Sequence, residues 1–160
     1  MSRLVVFVCT GNICRSPMAE YLYRTHVLSQ PEIKVCSAGV MAGIGAPASR
    51  FALKALEELG VDASAHRSQP VTPEMVREAE LLVVMTAQHR DILLERHPGA
   101  ASRIALLKSF DTKDRDEDVM DPIGLSMDVY RFVRDDIAGA LWGLDMFLQN
   151  AASGREDEQS

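Results

Sequence analysis

Cys9 and Arg15 stand with five residues between them, and Ser16 follows directly, a Cys-x5-Arg-Ser arrangement. A cysteine thiolate is a strong nucleophile. An arginine guanidinium is a planar fork that matches two oxygens of a phosphoryl group. Gly11 allows a tight turn with close access to the backbone, and Asn12 tolerates left-handed backbone angles. The chemistry such a set can do is attack by Cys9 on a phosphorus held by Arg15 and by loop N–H groups. Ser16 is open to two roles, a helix cap or a hydroxyl that donates to the Cys9 sulfur and helps it leave. The reaction also needs a proton for the leaving group and a base for water, which one carboxyl can supply in turn. Candidates are Asp111, Asp114, Asp116, Glu117, Asp118 and Asp121. Spacing does not choose among them, although Pro122 stiffens the backbone after Asp121.

These residues need elements to position them. Leu4–Val8 is an apolar run of the kind buried on both faces of a sheet, and it ends at Cys9. Ser16-Pro17 reads as a helix start, with Ser16 at the cap and the helix running to Leu28. Strand, short loop and helix N-terminus together make an anion site from Thr10 to Ser16, by way of Gly11, Asn12, Ile13, Cys14 and Arg15. Later strands are expected at 33–39, 81–85 and 104–107. Helices are expected at 48–59, 72–79, 86–97 and 126–149. Alternation of strand and helix predicts an α/β domain with a parallel sheet covered on both faces. Ligands then bind beyond the strands' C-terminal ends, where Cys9, Ser37 and Met85-Thr86 fall. Residues 1–150 form one domain, and 151–160 read as a disordered tail. His26, His89 and His97 read as exposed helix residues.

The stretch Val8-Cys9-Thr10-Gly11-Asn12-Ile13-Cys14-Arg15-Ser16-Pro17 resembles the signature of low-molecular-weight protein tyrosine phosphatases, in their bacterial-type branch. Ser37-Ala38-Gly39, His66, Met85-Thr86 and Asp121-Pro122 stand where that family has later motifs, so the resemblance spans residues 3–148. It implies a four-stranded parallel sheet in the order 2-1-3-4, with the phosphate-binding loop after strand 1. It selects Asp121 as general acid, and gives Ser37 and His66 the support of Asn12. It implies a phosphorylated protein as substrate, phosphate, sulfate or vanadate as anion ligands, and no cofactor or metal. Ile13 matches the family's tyrosine phosphatases, whereas its arginine phosphatases carry threonine there. Ile123 departs from the usual aromatic residue after Asp-Pro. Protein-arginine phosphatase is therefore the alternative activity.

Composition sets the remaining bounds. The 160 residues carry 23 acidic and 17 basic side chains, a formal charge of −6, which argues against nucleic acid or an anionic membrane as partner. No apolar run approaches the ~20 residues of a membrane span. The odd count of three cysteines and a nucleophilic thiol suit a cytoplasmic protein. Cys14 serves either packing or redox protection of Cys9. Zinc is disfavoured, because beyond Cys9 and Cys14 only Cys36 remains. Gly43-x-Gly45 is too little for a nucleotide loop. Two further readings are an arsenate reductase, disfavoured by the lack of cysteine at 80–90, and an inactive phosphate-binding module.

Overall fold

The computed structural model describes residues 3–113 and 117–159. Four strands, β1 (Arg3–Cys9), β2 (Ile33–Gly39), β3 (Ala79–Val84) and β4 (Ile104–Leu106), form one sheet. All pair in parallel, in the order β2-β1-β3-β4. The helices are α1 (Arg15–Leu22), α2 (Arg50–Glu57), α3 (Pro73–Glu78), α4 (Ala87–Arg96) and α5 (Met127–Gln159).

The central strand explains the layers. Val5, Phe7 and Cys9 of β1 point into one core, shared with Met18 and Leu22 of α1, Ala52 and Leu56 of α2, and Val133, Ile137 and Leu141 of α5. Val6 and Val8 alternate to the other face, against Val76 of α3 and Leu93 of α4. The register pairs Cys9 with Gly39 and Val8 with Val84, so the strands' C-terminal ends lie at one edge.

Three expectations need correction. Ser16 is not a helix cap: α1 begins at Arg15, with Cys14 at the cap position and no side-chain cap bond. Its hydroxyl is taken by Asn12 and Cys9 instead. The first helix also stops at Leu22, and a wide π turn over Tyr23–Val27 follows, closed by the Leu28 N–H on the Tyr23 carbonyl at 2.8 Å. Residues 151–159 are not a disordered tail but the last turns of α5. Ala151 and Ala152 are strong helix formers, and the Arg155 guanidinium is anchored on Glu80 at the start of β3.

Candidate active site

The loop from Cys9 to Arg15 has its carbonyls and its amides sorted. The carbonyl of Cys9 accepts from the Val40 N–H at 2.9 Å, that of Thr10 from Met41 at 3.0 Å, and that of Ile13 from Ser49 at 2.8 Å. The Asn12 carbonyl accepts from His66 Nε2 at 2.7 Å. The N–H groups of Gly11, Asn12, Ile13 and Cys14 find no acceptor among the described residues. Buried backbone N–H groups are seldom left so. Successive free amides around a residue with positive φ, here Asn12 at 58°, form a nest for an anion.

Asn12 sets the direction of a buried hydrogen-bond chain. Its Oδ1 accepts from the Gln69 N–H at 3.1 Å, which fixes the amide's orientation. Its Nδ2 then donates to Ser16 Oγ at 2.8 Å and to Ser37 Oγ at 2.9 Å. Ser37 Oγ in turn donates to Glu20 Oε1 at 2.7 Å. Ser16, with Asn12 on its oxygen, is left to donate to Cys9 Sγ, 2.9 Å away. His66 must donate from Nε2, since a carbonyl only accepts. Burial is the main cause that holds its pKa below the usual histidine value.

Arg15 is buried at the mouth of α1. Its Nη1 donates to the Val119 carbonyl at 3.0 Å, and its Nη2 lies 3.7 Å from Asp121. Val119 is itself fixed by its N–H on the Met85 carbonyl at 2.9 Å, so β3 sets the height of the acidic loop. Asp121 Oδ1 accepts from the Ile123 N–H at 3.1 Å. Among the other candidate acids, Asp118 accepts from the Ala87 N–H and Asp111 from the Lys113 N–H. Glu117 is exposed, and Asp114 and Asp116 lie outside the described residues. The cleft, of about 190 Å³, is lined by Cys9, Thr10, Gly11, Ile13, Cys14, Arg15, Asp121 and Ile123. Asp121 is thus the one carboxylate on its wall among the described residues. Among the described residues no three His, Cys, Asp or Glu side chains gather as metal ligands would.

Cys14 faces away from this chain of bonds. Its thiol lies 3.4 Å from Ser49 Oγ and 3.3 Å from Tyr130 Oη, and burial pushes its pKa up. Residues that sequence reasoning missed stand around the loop: Gln69, Glu20, Ser49, Tyr130 and Val119. His89 was misplaced. It is 2 % exposed, not a surface residue, and its Nε2 lies 2.8 Å from Thr10 Oγ1. The signal was available, because His89 shares a helix face with the buried Leu93 four residues on.

A parallel sheet whose first strand ends in a cysteine beside a loop of free amides, faced by an arginine and an aspartate, is the arrangement expected from the resemblance to the low-molecular-weight phosphatases. The model of the low molecular weight phosphotyrosine protein phosphatases matches residues 4–153. The chain belongs to that family. A protein-arginine-phosphatase of Geobacillus stearothermophilus is 42% identical over 133 residues, covering 83% of this chain and 87% of the relative. A probable low molecular weight protein-tyrosine-phosphatase, EpsP of Ralstonia nicotianae, is 38% identical over 117 residues, covering 71% and 79%. The solved YwlE arginine phosphatase of G. stearothermophilus superposes with a TM-score of 0.85 at 38% identity, covering 93% of this chain and 94% of that one.

Proposed function

We propose that this phosphatase hydrolyses phosphotyrosine in proteins through a cysteinyl-phosphate intermediate. The sorted loop carries the proposal: carbonyls tied outward and four free amides beside Cys9 and Arg15 suit a phosphoryl group. In the first step Cys9 Sγ attacks phosphorus, the S–P bond forms, the P–O bond breaks, and Asp121 gives its proton to the tyrosyl oxygen. In the second step water attacks phosphorus, Asp121 takes the proton, and the sulfur leaves as a thiolate that accepts from Ser16. Arg15 and the loop amides hold the remaining oxygens throughout. A catalytic thiol of this kind stays reduced in the cytoplasm, where we place the enzyme.

The side chains beyond the phosphate favour an aryl group. Ile13 and Ile123 are the apolar side chains on the cleft wall. A guanidinium packed against these two side chains would have Asp121 as its carboxylate acceptor among the described lining residues, and each N–H donor left unpaired would cost ~1–3 kcal/mol. The absence of an aromatic wall costs ring stacking of ~0.5–1.5 kcal/mol, so a modest tyrosine phosphatase is expected. The second reading, a protein-arginine phosphatase, is favoured by the activity named for the Geobacillus relative. Side-by-side turnover of phosphotyrosine and phosphoarginine peptides separates the two. Cys9→Ser should lose turnover while retaining vanadate. Ile13→Thr should move the ratio of kcat/KM toward phosphoarginine by roughly tenfold, since ~1.4 kcal/mol is tenfold. Wild-type preference for phosphoarginine would sink the tyrosine assignment.

A further inference from the structure

His89 is a buried polar group beside the cleft that the hydrolytic steps leave unused. It is the third residue of α4, which is capped by Thr86. Its Nδ1 is buried without a partner, while Nε2 meets Thr10 Oγ1 at 2.8 Å. Burial first, and then the charge of Arg15, press its pKa to about 4. The ring is therefore neutral at neutral pH and carries one N–H. A buried N–H without an acceptor is rarer in proteins than an acceptor left under-satisfied. The first turn of a helix is also electropositive, which suits a lone pair at Nδ1. Both considerations put the proton on Nε2, so His89 donates and Thr10 Oγ1 accepts.

The consequence falls on Thr10. Its oxygen is occupied by His89, so its own hydroxyl proton is free to be donated. The described residues offer that proton no other acceptor. Thr10 lines the same cleft as Cys9 and Arg15. We propose that His89 is a positioning residue that turns the Thr10 hydroxyl into a side-chain donor for the oxyanion in the cleft, in addition to the loop's amides. The proposal rests on the cleft's being a phosphate site, as the phosphatase assignment requires.

The test compares Thr10→Val, Thr10→Ser, His89→Leu, His89→Gln and the double Thr10→Val/His89→Leu variant. Binding of inorganic phosphate is measured by calorimetry, with turnover of para-nitrophenyl phosphate followed separately. Thr10→Val and His89→Leu should each weaken phosphate binding by about tenfold, as loss of a bond to a charged group does. Thr10→Ser keeps the hydroxyl, and His89→Gln places an amide donor near Nε2, so both should bind within threefold of wild type. The double variant should be no weaker than either single one. Unchanged phosphate affinity in Thr10→Val overturns the proposal, and so does additivity in the double variant. The Val/Ser pair at the exposed Thr10 keeps the test decisive even where His89→Leu fails to fold. Failure of the wild type to hydrolyse the aryl phosphate strikes the phosphatase assignment instead, because the calorimetry does not depend on turnover.

Discussion

Gly39→Ala tests whether the shape of the phosphate loop, apart from its side chains, makes the site. Gly39 ends β2 beside Cys9 in the register. A Cβ there would lie 2.4 Å from the Thr10 carbonyl oxygen, 2.7 Å from the Ala42 Cβ and 3.1 Å from the Asn12 nitrogen. Ordinary carbon–oxygen contact needs on the order of 1 Å more than the first of these, close to the ~3.5–4.0 Å of an optimal heavy-atom contact. Two of the three obstacles are loop backbone, so a rotamer change cannot relieve them. Overpacking of this kind costs ~1–3 kcal/mol of stability. The larger effect falls on catalysis, because a displacement of ~1 Å at a reacting group can cost 10²-fold. The expected outcome is kcat/KM on para-nitrophenyl phosphate down by about a hundredfold, ~2.7 kcal/mol, with near-wild-type circular dichroism. Gly43→Ala is the control, since nothing lies within 4 Å of a Cβ there. Activity of Gly39→Ala within threefold of wild type, in a folded protein, would refute the claim that the loop's backbone placement is what this glycine protects.

Asp121→Ala should slow turnover strongly for phenolic leaving groups of high pKa and little for those of low pKa, because a general acid matters most when the departing oxygen is basic; an equal loss across a leaving-group series counts against Asp121. Mild peroxide should convert the Cys9 thiolate to a sulfenic acid, from which the Cys14 sulfur displaces water to form a disulfide that thiols reverse. Full thiol recovery of a peroxide-treated Cys14→Ser variant would rule that protection out. Acid should destabilise the fold in a window set by His89 and His66. Both are held below the usual histidine value, chiefly by burial, so the unfolded chain binds their protons first as pH falls. The stability is present above ~6.5 and is lost towards about 4, with His89 alone accounting for a loss on the order of 2–3 kcal/mol between pH 7 and pH 4.5. Arg15, Asp118 and Asp121 are the charges that act on His89. Urea midpoints at pH 7 and 4.5 measure the loss, and a slope unchanged in His89→Gln would contradict it.

The parts of the site that were legible in the chain are those made by local geometry. Leu4–Cys9 has no polar interruption, and Asn12 precedes a helix start, so strand, nest and helix follow from neighbours in sequence. β2 begins and ends at the residues expected of it, Ile33 and Gly39. The order of the strands came with the family resemblance rather than from periodicity. Choice among the acids is not legible, because six carboxylates share one loop and it is long-range ties, of Val119 to Met85 and to Arg15, that set Asp121 beside Arg15. Ser16 reads as a cap because serine before proline usually is one; the amide of Asn12, four residues back and itself held by the distant Ser37 and Gln69, takes its hydroxyl instead. His89 looked solvated because histidine is ambivalent about burial, and Thr10 decides it. The tail looked unstructured from its composition, but docking of Arg155 on Glu80 is a tertiary fact.

The loop's fastenings also bear on how the enzyme comes into being. Cys9 to Ser16 is a local turn that can close early. Its pins arrive from far along the chain: Ser37 is 25 residues from Asn12, His66 is 54, His89 is 79 from Thr10, and Val119 is 104 from Arg15. Contacts of such separation are slow to form, because the chain between them must be ordered first. Collapse and helix formation can therefore be complete while the nest is still loose. A refolding chain should regain ellipticity before it regains turnover, with the lag reporting arrival of the α4 and Val119 contacts. A single rate constant for both signals in a stopped-flow experiment would show instead that the loop and its distant pins assemble together.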